Sequence, residues 1–136
     1  MTEIVRVFDA PRERLWRAWT DPDELVRWWG KRGWHARRDG IVLDVRPGAP
    51  FRIVSVSEAG DEMVNEGVWH EVVPPERLAF GPPEGVTSVV TFADVGDGRT
   101  ELRFTTTTPM GERALAGFSS GLDRLAELFH PTRSVP

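Results

Sequence analysis

The longest regular pattern of apolar side chains lies between Gly111 and Phe129. Large apolar residues recur in it at alternating spacings of three and four, which places them on one face of an α-helix. They are Leu115, Phe118, Leu122, Leu125 and Phe129. The segment 111–129 is therefore predicted to be a helix that buries this face. Gly117 and Gly121 lie inside it, each at a cost of roughly 1 kcal/mol relative to alanine. They indicate either close approach of another backbone or space left open beside the helix.

The first 30 residues predict one strand and two short helices. Residues 3–8 alternate apolar and polar side chains imperfectly and stop at an aspartate, as a first strand does. Residues 11–19 begin with a proline and then carry apolar side chains at helical spacing. Asp21, followed by a proline and by a glutamate three residues later, is typical of the start of a second helix. Gly30 ends this helix. The inward-facing residues of this second helix are predicted to be Leu25, Trp28 and Trp29.

From Trp34 to Thr107 the helical period is absent, and short runs of β-branched residues alternate with turn signals. The predicted strands are 41–45, 50–57, 62–73, 77–80, 86–95 and 100–108. Their connections are too short for crossover helices, so the sheet is predicted to be antiparallel. The order of elements predicts an α+β architecture in which the long C-terminal helix covers one face of a curved sheet.

Length and composition narrow the class of protein. The chain has 136 residues, 40% of them hydrophobic and 28% charged, which predicts one folded domain over residues 1–136. A net charge of -4 argues against binding to nucleic acid or to an anionic membrane surface, since both attract basic proteins. The chain has no cysteine, no recognisable secretion signal and no apolar run long enough to cross a membrane. We therefore expect a cytoplasmic protein.

Five stretches, in the same order, resemble the family named for the activator of the heat-shock-protein-90 ATPase. That family belongs to the START-like superfamily, also called SRPBCC or birch-pollen-allergen-like. The stretches are FDAPRERLWRAWTDPDELVRWWG, DVRPGAPFRI, GVWHEVVPPERLAF, GRTELRFTTTT and GLDRLAELF. The resemblance implies a helix-grip fold, in which a curved antiparallel sheet wraps around a long C-terminal helix, with two short helices after the first strand. It also implies a cavity between helix and sheet. The superfamily hosts many functions, so the fold alone does not define one.

The resemblance further implies that the paired tryptophans, Trp28 and Trp29, lie near the mouth of the cavity. One of them is expected to line the entrance while the other closes the core. The alternative is that both are core residues. The family often has a glycine–tryptophan pair in the last helix, where this chain has Gly117 and Phe118. The predicted ligand-binding residues are Trp28, Trp29, Trp69, Glu71, Phe104, Phe118, Gly121 and Leu122.

Glu71 is the one candidate for catalytic chemistry. It lies two residues after Trp69 in a predicted strand, where alternate side chains share a face. If Trp69 points into the cavity, Glu71 is expected to do so as well and His70 to point away. A carboxylate there could act as an acid or base, or accept a hydrogen bond from a ligand hydroxyl. The structural alternative is a salt bridge to Arg52 on a neighbouring strand, and one bulge within 62–73 would change which side chains face inward.

Three further patterns carry weaker signals. GFSSG at 117–121 matches the G-x-S-x-G elbow of serine hydrolases, but it lies in a helical pattern without the strand that an elbow needs. His35, His70 and His130 occur singly, without a second ligand at metal-binding spacing, so no metal site is predicted. KRGWHARR at 31–38 is either a solvated loop and strand edge or a binding site for an acidic ligand or partner protein.

These patterns favour a protein that holds an apolar or aromatic small molecule between the C-terminal helix and the sheet, without a cofactor. Two alternatives stay open. The first is an enzyme of the cyclase, aromatase or dehydratase type, in which Glu71 moves protons. The second is a co-chaperone-like interaction module that uses the basic segment 31–38 against an acidic partner. A homodimer through an exposed sheet edge is compatible with the pattern, although no residue requires it.

Overall fold

The structure, a computed structural model, describes residues 1–129 of the chain. His130 lies outside the described residues. The described part consists of seven strands and three helices. In chain order these are β1 (Thr2–Phe8), α1 (Arg12–Thr20), α2 (Pro22–Leu25), β2 (Trp34–Leu43), β3 (Pro50–Ser57), β4 (Glu62–Val73), β5 (Arg77–Gly81), β6 (Ser88–Gly96), β7 (Arg99–Thr106) and α3 (Glu112–Phe129).

All seven strands form one curved antiparallel sheet, in the order β1-β7-β6-β5-β4-β3-β2. Each strand from β2 to β7 pairs with its neighbour in sequence, as expected where short turns connect antiparallel strands. The first strand pairs with the last, with Ile4 opposite Phe104. The sheet edges are therefore β1 and β2. The predicted α+β helix-grip architecture is confirmed.

Two elements differ in extent from their prediction. The strand expected at 41–45 begins at Trp34, because β2 continues through the charged segment before it. A register shift between Ala36 and Ile41 breaks the alternation of that strand, which removes the period that would have indicated it. The second short helix ends at Leu25, four residues after its N-cap Asp21, whose side chain accepts a hydrogen bond from the Asp23 amide at 2.9 Å.

The core lies between the sheet and the helices α1 and α3. Phe92 and Leu102 of the sheet and Leu122 and Leu125 of α3 are almost completely buried. The predicted apolar face of α3 therefore faces the sheet, and its other members are partly buried. Arg6 of β1 also ties the helix to the sheet. Its Nη1 lies 2.7 Å from Asp123 Oδ1 and its Nη2 donates to the Ser119 carbonyl at 3.3 Å. No helix among residues 1–129 combines the length and apolar character needed to cross a membrane.

Candidate functional site

A cavity of about 360 Å³ lies between the first half of α3, the segment 28–34 and the β3–β4 ladder. The helix contributes Ala114, Gly117, Phe118 and Gly121, among others, to one wall. The other two walls are the tryptophan-rich segment that follows α2 and the inner face of the two strands. The cavity is open to solvent on one side, where Ala114 is exposed.

The segment 28–31 lies against α3 at the positions of its two glycines. A Cβ atom at Gly121 would lie 3.7 Å from the Gly30 carbonyl oxygen and 3.9 Å from that of Trp28. A Cβ atom at Gly117 would lie 3.4 Å from the Cβ and Cδ atoms of Lys31. These are ordinary van der Waals distances, so close approach does not by itself require glycine at either position. Since both glycines also line the cavity, the same absence of side chains keeps that space open.

The tryptophan pair forms the second wall, and its two members differ in environment. Trp28 is 2% exposed, and its indole Nε1 donates to the Ala18 carbonyl at 2.8 Å. Trp29 is only partly buried. Both rings contact Trp19, with centroids 5.1 Å and 6.4 Å away. Both tryptophans also border the cavity, so the hydrogen-bonded Trp28 is its inner boundary and Trp29 the one nearer solvent.

One arginine of α3 holds this wall in place. The Nη1 of Arg124 donates to the carbonyl oxygens of Trp29, Gly30 and Trp34 at 3.3, 3.1 and 3.2 Å. Its Nη2 donates to the Arg27 carbonyl at 3.4 Å. A guanidinium with several donors can satisfy carbonyl groups that a tight turn leaves without a partner. Arg124 was not predicted from the sequence, because a single arginine near an apolar helix face carries no local signal of its distant partners.

The sheet wall carries a buried hydroxyl group. Ser55 of β3 lies directly opposite Met63 of β4, and both border the cavity. Ser55 is 2% exposed, and its Oγ has no hydrogen-bond partner among the described residues. Phe51 and Ile53 occupy the preceding inward positions of the same strand. Ser55 was not among the predicted site residues, although its place in an otherwise apolar alternation is a sequence signal for it.

The structure places four of the predicted ligand-binding residues at the cavity and three aromatic or aliphatic ones away from it. Those that line it are Trp28, Trp29, Phe118 and Gly121. Phe104 lies behind the wall, stacked on Phe118 with centroids 4.6 Å apart. Leu122 is completely buried in the core. Trp69 packs against Phe51 and Phe80 with centroids 4.7 Å and 5.4 Å away, in an aromatic cluster further along β4.

The prediction that Glu71 faces the cavity beside Trp69 is wrong. A register shift between the two residues leaves His70 as the extra residue of a bulge, so Trp69 pairs with Phe80 and Glu71 with Ala79. Glu71 does not border the cavity, and its Oε1 accepts from the Arg77 Nε at 3.0 Å. The predicted salt bridge to Arg52 is replaced by this pair. Glu71 therefore gives no support for acid–base chemistry in the cavity.

Arg52 and two of the four cations of the basic segment 31–38, Arg37 and Arg38, form surface ion pairs. Arg52 lies 3.6 Å from Glu66, and Arg37 lies 3.0 Å from Glu62. Arg38 lies 2.7 Å from Asp23. These carboxylates lower the net positive charge that the segment could present to an acidic partner protein.

The remaining sequence patterns form no reactive centre in the described part of the chain. Ser119 lies inside α3, as the helical pattern predicted, so GFSSG is not a nucleophile elbow. The ring Nε2 of His70 lies 2.8 Å from the Pro82 carbonyl oxygen. Residues 1–129 contain no group of three histidine, cysteine, aspartate or glutamate residues placed to hold a metal ion.

A curved antiparallel sheet closed by a C-terminal helix, with a ligand-sized cavity between them, defines a helix-grip protein. Comparison with known proteins then identifies the family. The model of the family "Activator of Hsp90 ATPase homolog 1-like protein" matches residues 9–130, and the chain belongs to that family. This confirms the resemblance noted in the sequence. A comparison with curated proteins found no match.

Several solved structures share the fold. A protein from Chromobacterium violaceum is 26% identical with a TM-score of 0.83, over 96% of this chain and 98% of that one. The AHSA1 protein from Silicibacter pomeroyi is 25% identical with a TM-score of 0.71, over 96% and 97% of the two chains. The AHSA1-like protein from Aeromonas hydrophila is 24% identical with a TM-score of 0.74, over 99% and 98%.

Proposed function

We propose that the protein binds a small apolar or aromatic molecule in the cavity between α3 and the sheet. The observation that carries this proposal is the cavity itself. Its volume of about 360 Å³ falls in the range of roughly 300 to 1,000 Å³ that is typical of small-molecule sites. Three of the chain's six tryptophans border it, and aromatic rings are common in such sites. The resemblance to the START-like superfamily implies a site in the same place.

The Ser55 hydroxyl supports a ligand that also carries a polar atom. A buried hydroxyl without a hydrogen bond is unfavourable by roughly 1 to 3 kcal/mol. Because Ser55 Oγ has no described partner and borders the cavity, a ligand oxygen or nitrogen can supply the missing hydrogen bond. A few polar groups in a mostly apolar lining are the usual means by which such a site orients its ligand.

The first test uses N-phenyl-1-naphthylamine, a neutral aromatic probe whose fluorescence rises in apolar surroundings. We expect saturable binding to the purified protein. Ala114→Trp should abolish it, because a large side chain at this exposed lining position obstructs the cavity. Ala116→Trp is the matched control: it places the same side chain on α3 at an exposed position that does not line the cavity.

A second blocking variant places a large side chain on the sheet wall of the cavity. Met63→Trp on β4 should also abolish binding of the probe, whereas Val64→Trp, one residue further and away from the cavity, should leave it intact. Circular dichroism should show that all four variants are folded, since each changes a side chain that is exposed to solvent. Absence of probe binding to the unmodified protein, or unchanged binding to both blocking variants, would contradict the proposed function.

Native mass spectrometry of freshly purified protein complements the probe. A bound molecule should appear as an added mass that is lost on denaturation, and Ala114→Trp should be purified without it. The same added mass on Ala114→Trp as on Ala116→Trp would place the bound molecule outside the cavity.

A further inference from the structure

The charged side chains that border the cavity all have the same sign. Within residues 1–129 its lining includes Lys31 and Arg113 and neither an aspartate nor a glutamate, although the chain as a whole has a net charge of -4. Neither of the two cations forms an ion pair with a described carboxylate. The cavity is therefore a positively charged site on an acidic protein.

The fold brings these two cations to the same side of the cavity. Arg113 precedes Gly117 by four residues, so both lie on one face of α3. The aliphatic part of Lys31 lies over Gly117, where a Cβ atom would be 3.4 Å from it. The Lys31 ammonium is 5.1 Å from the centroid of the Trp34 ring, which also borders the cavity. Arg113 is exposed and Lys31 is partly exposed, so both lie at the rim.

Three acidic residues lie close in sequence to the lining residues but do not themselves line the cavity. Glu62 and Glu66 flank the lining positions of β4, but they form ion pairs with Arg37 and Arg52 on the other face of the sheet. Glu112 adjoins Arg113 in α3 and is not part of the lining. Among the described residues, therefore, no carboxylate lines the cavity or forms an ion pair with either rim cation.

We propose that the ligand is an organic anion with an apolar body. Its body would lie between Phe118 and the tryptophan pair, and its carboxylate, sulfonate or similar group would lie at the rim with Lys31 and Arg113. A guanidinium can hold two oxygens of such a group at once, and an ammonium adds a further charge-assisted hydrogen bond. This inference rests on the proposed function, since it specifies the chemical class of ligand for the same cavity.

The test compares two probes that share one ring system and differ in one charged group. 1-Anilinonaphthalene-8-sulfonate is the anion, and N-phenyl-1-naphthylamine is its neutral parent. We expect the anion to bind more tightly to the unmodified protein. In the double variant Lys31→Gln/Arg113→Gln, the preference for the anion, measured as the ratio of the two affinities, should fall about fivefold or more.

A matched control separates local charge from net charge. Arg113→Gln is compared with Arg99→Gln, which removes the same charge from an exposed arginine beside Phe8 and Ala126, away from the cavity. Only Arg113→Gln should weaken binding of the anion. Raising the salt concentration from about 0.05 M to 0.5 M should weaken binding of the anion to the unmodified protein and have little effect on the double variant.

The outcomes distinguish the two proposals. If the neutral probe binds in the cavity and the anion binds no more tightly, or if the double variant keeps the preference for the anion, the charge inference is overturned while the proposed function stands. If neither probe binds, or if neither Ala114→Trp nor Met63→Trp weakens their binding, the proposed function and this inference both fail. A preference for the anion that is lost in the double variant and kept in Arg99→Gln supports the inference.

Discussion

The two halves of α3 share one amphipathic pattern, but one half packs in the core and the other lines a cavity. In the C-terminal half, Leu122 and Leu125 are completely buried, and Phe129 packs edge-on against Phe8 with centroids 6.1 Å apart. In the N-terminal half, Ala114 and Gly117 face a cavity. The same helix therefore closes the core at one end and forms the wall of a binding site at the other.

Side-chain volume, rather than the position of the apolar face, makes this difference. Interiors are close-packed where large side chains meet, and they leave space where small side chains face one another across a fixed distance. The tryptophan-rich segment lies against the helix at Gly117 and Gly121, so the cavity has a wall on that side too. A helix-grip protein can thus place its site by exchanging large residues for small ones along one helix.

The largest expected effect on stability comes from truncating a buried leucine in the C-terminal half of α3. Leu125→Ala should lower the free energy of unfolding by about 2 to 5 kcal/mol, because it leaves a cavity where the leucine was completely buried. Leu115→Ala is the matched change in the N-terminal half of α3, where the leucine is partly exposed. It should lower the free energy of unfolding by about 1 kcal/mol. Urea denaturation of both variants measures the difference. Equal losses would show that the two halves of α3 are packed alike.

An intermediate effect is expected from releasing the tryptophan wall. Arg124→Gln removes most of the hydrogen bonds to the carbonyls of residues 27–34 and should lower the free energy of unfolding by about 1.5 kcal/mol. Since Trp29 is held by this contact, the tryptophan emission spectrum should shift as well. Arg124→Lys, which keeps the charge but not the planar fork, should recover only part of either property. Unchanged stability and emission in Arg124→Gln would mean that the wall is held by packing alone.

The smallest effect concerns the glycine at the junction of the two halves. Gly121→Ala should raise the free energy of unfolding by about 0.4 to 1 kcal/mol, because alanine favours the helix and reduces the freedom of the unfolded chain. The new Cβ atom meets the carbonyl oxygens of residues 28 and 30 only at ordinary contact distances. Thermal and urea unfolding measure the change. A loss of stability would show that the segment 28–31 lies closer to α3 than the 3.7 Å distance between a Cβ atom at Gly121 and the Gly30 carbonyl oxygen implies.

Most of the fold was predictable because it follows from local patterns. The apolar period of α3 and the β-branched runs of β3 to β7 depend only on neighbouring residues, and both were found at nearly the observed positions. The N-terminal part of β2 was not predicted, since the register shift after Ala36 interrupts its alternation. The bulge at His70 similarly reversed the expected orientation of Glu71. One extra residue in a strand exchanges its two faces, and the sequence pattern does not mark where it is inserted.

The candidate site was predictable only in part. Trp28, Trp29, Phe118 and Gly121 were expected at the cavity, from the family resemblance and the helix pattern, and they lie there. Trp69 shares the sheet face but is separated from the cavity by its own aromatic cluster with Phe51. Periodicity shows which face a side chain occupies and not how far along that face the site extends.

By itself, the amino-acid sequence determined the class of fold, the face that α3 buries and the family, because each of these depends on residue order and short-range spacing. Tertiary structure alone decided which polar residues meet at the cavity. Lys31, Ser55 and Arg113 border the cavity from three separate segments, and Arg124 of α3 holds one of its walls. These residues carry no shared local signal. Their proximity results from the curvature of the sheet and from the packing of the segment 28–31 against α3. These long-range features place a buried hydroxyl and two cations around one apolar space.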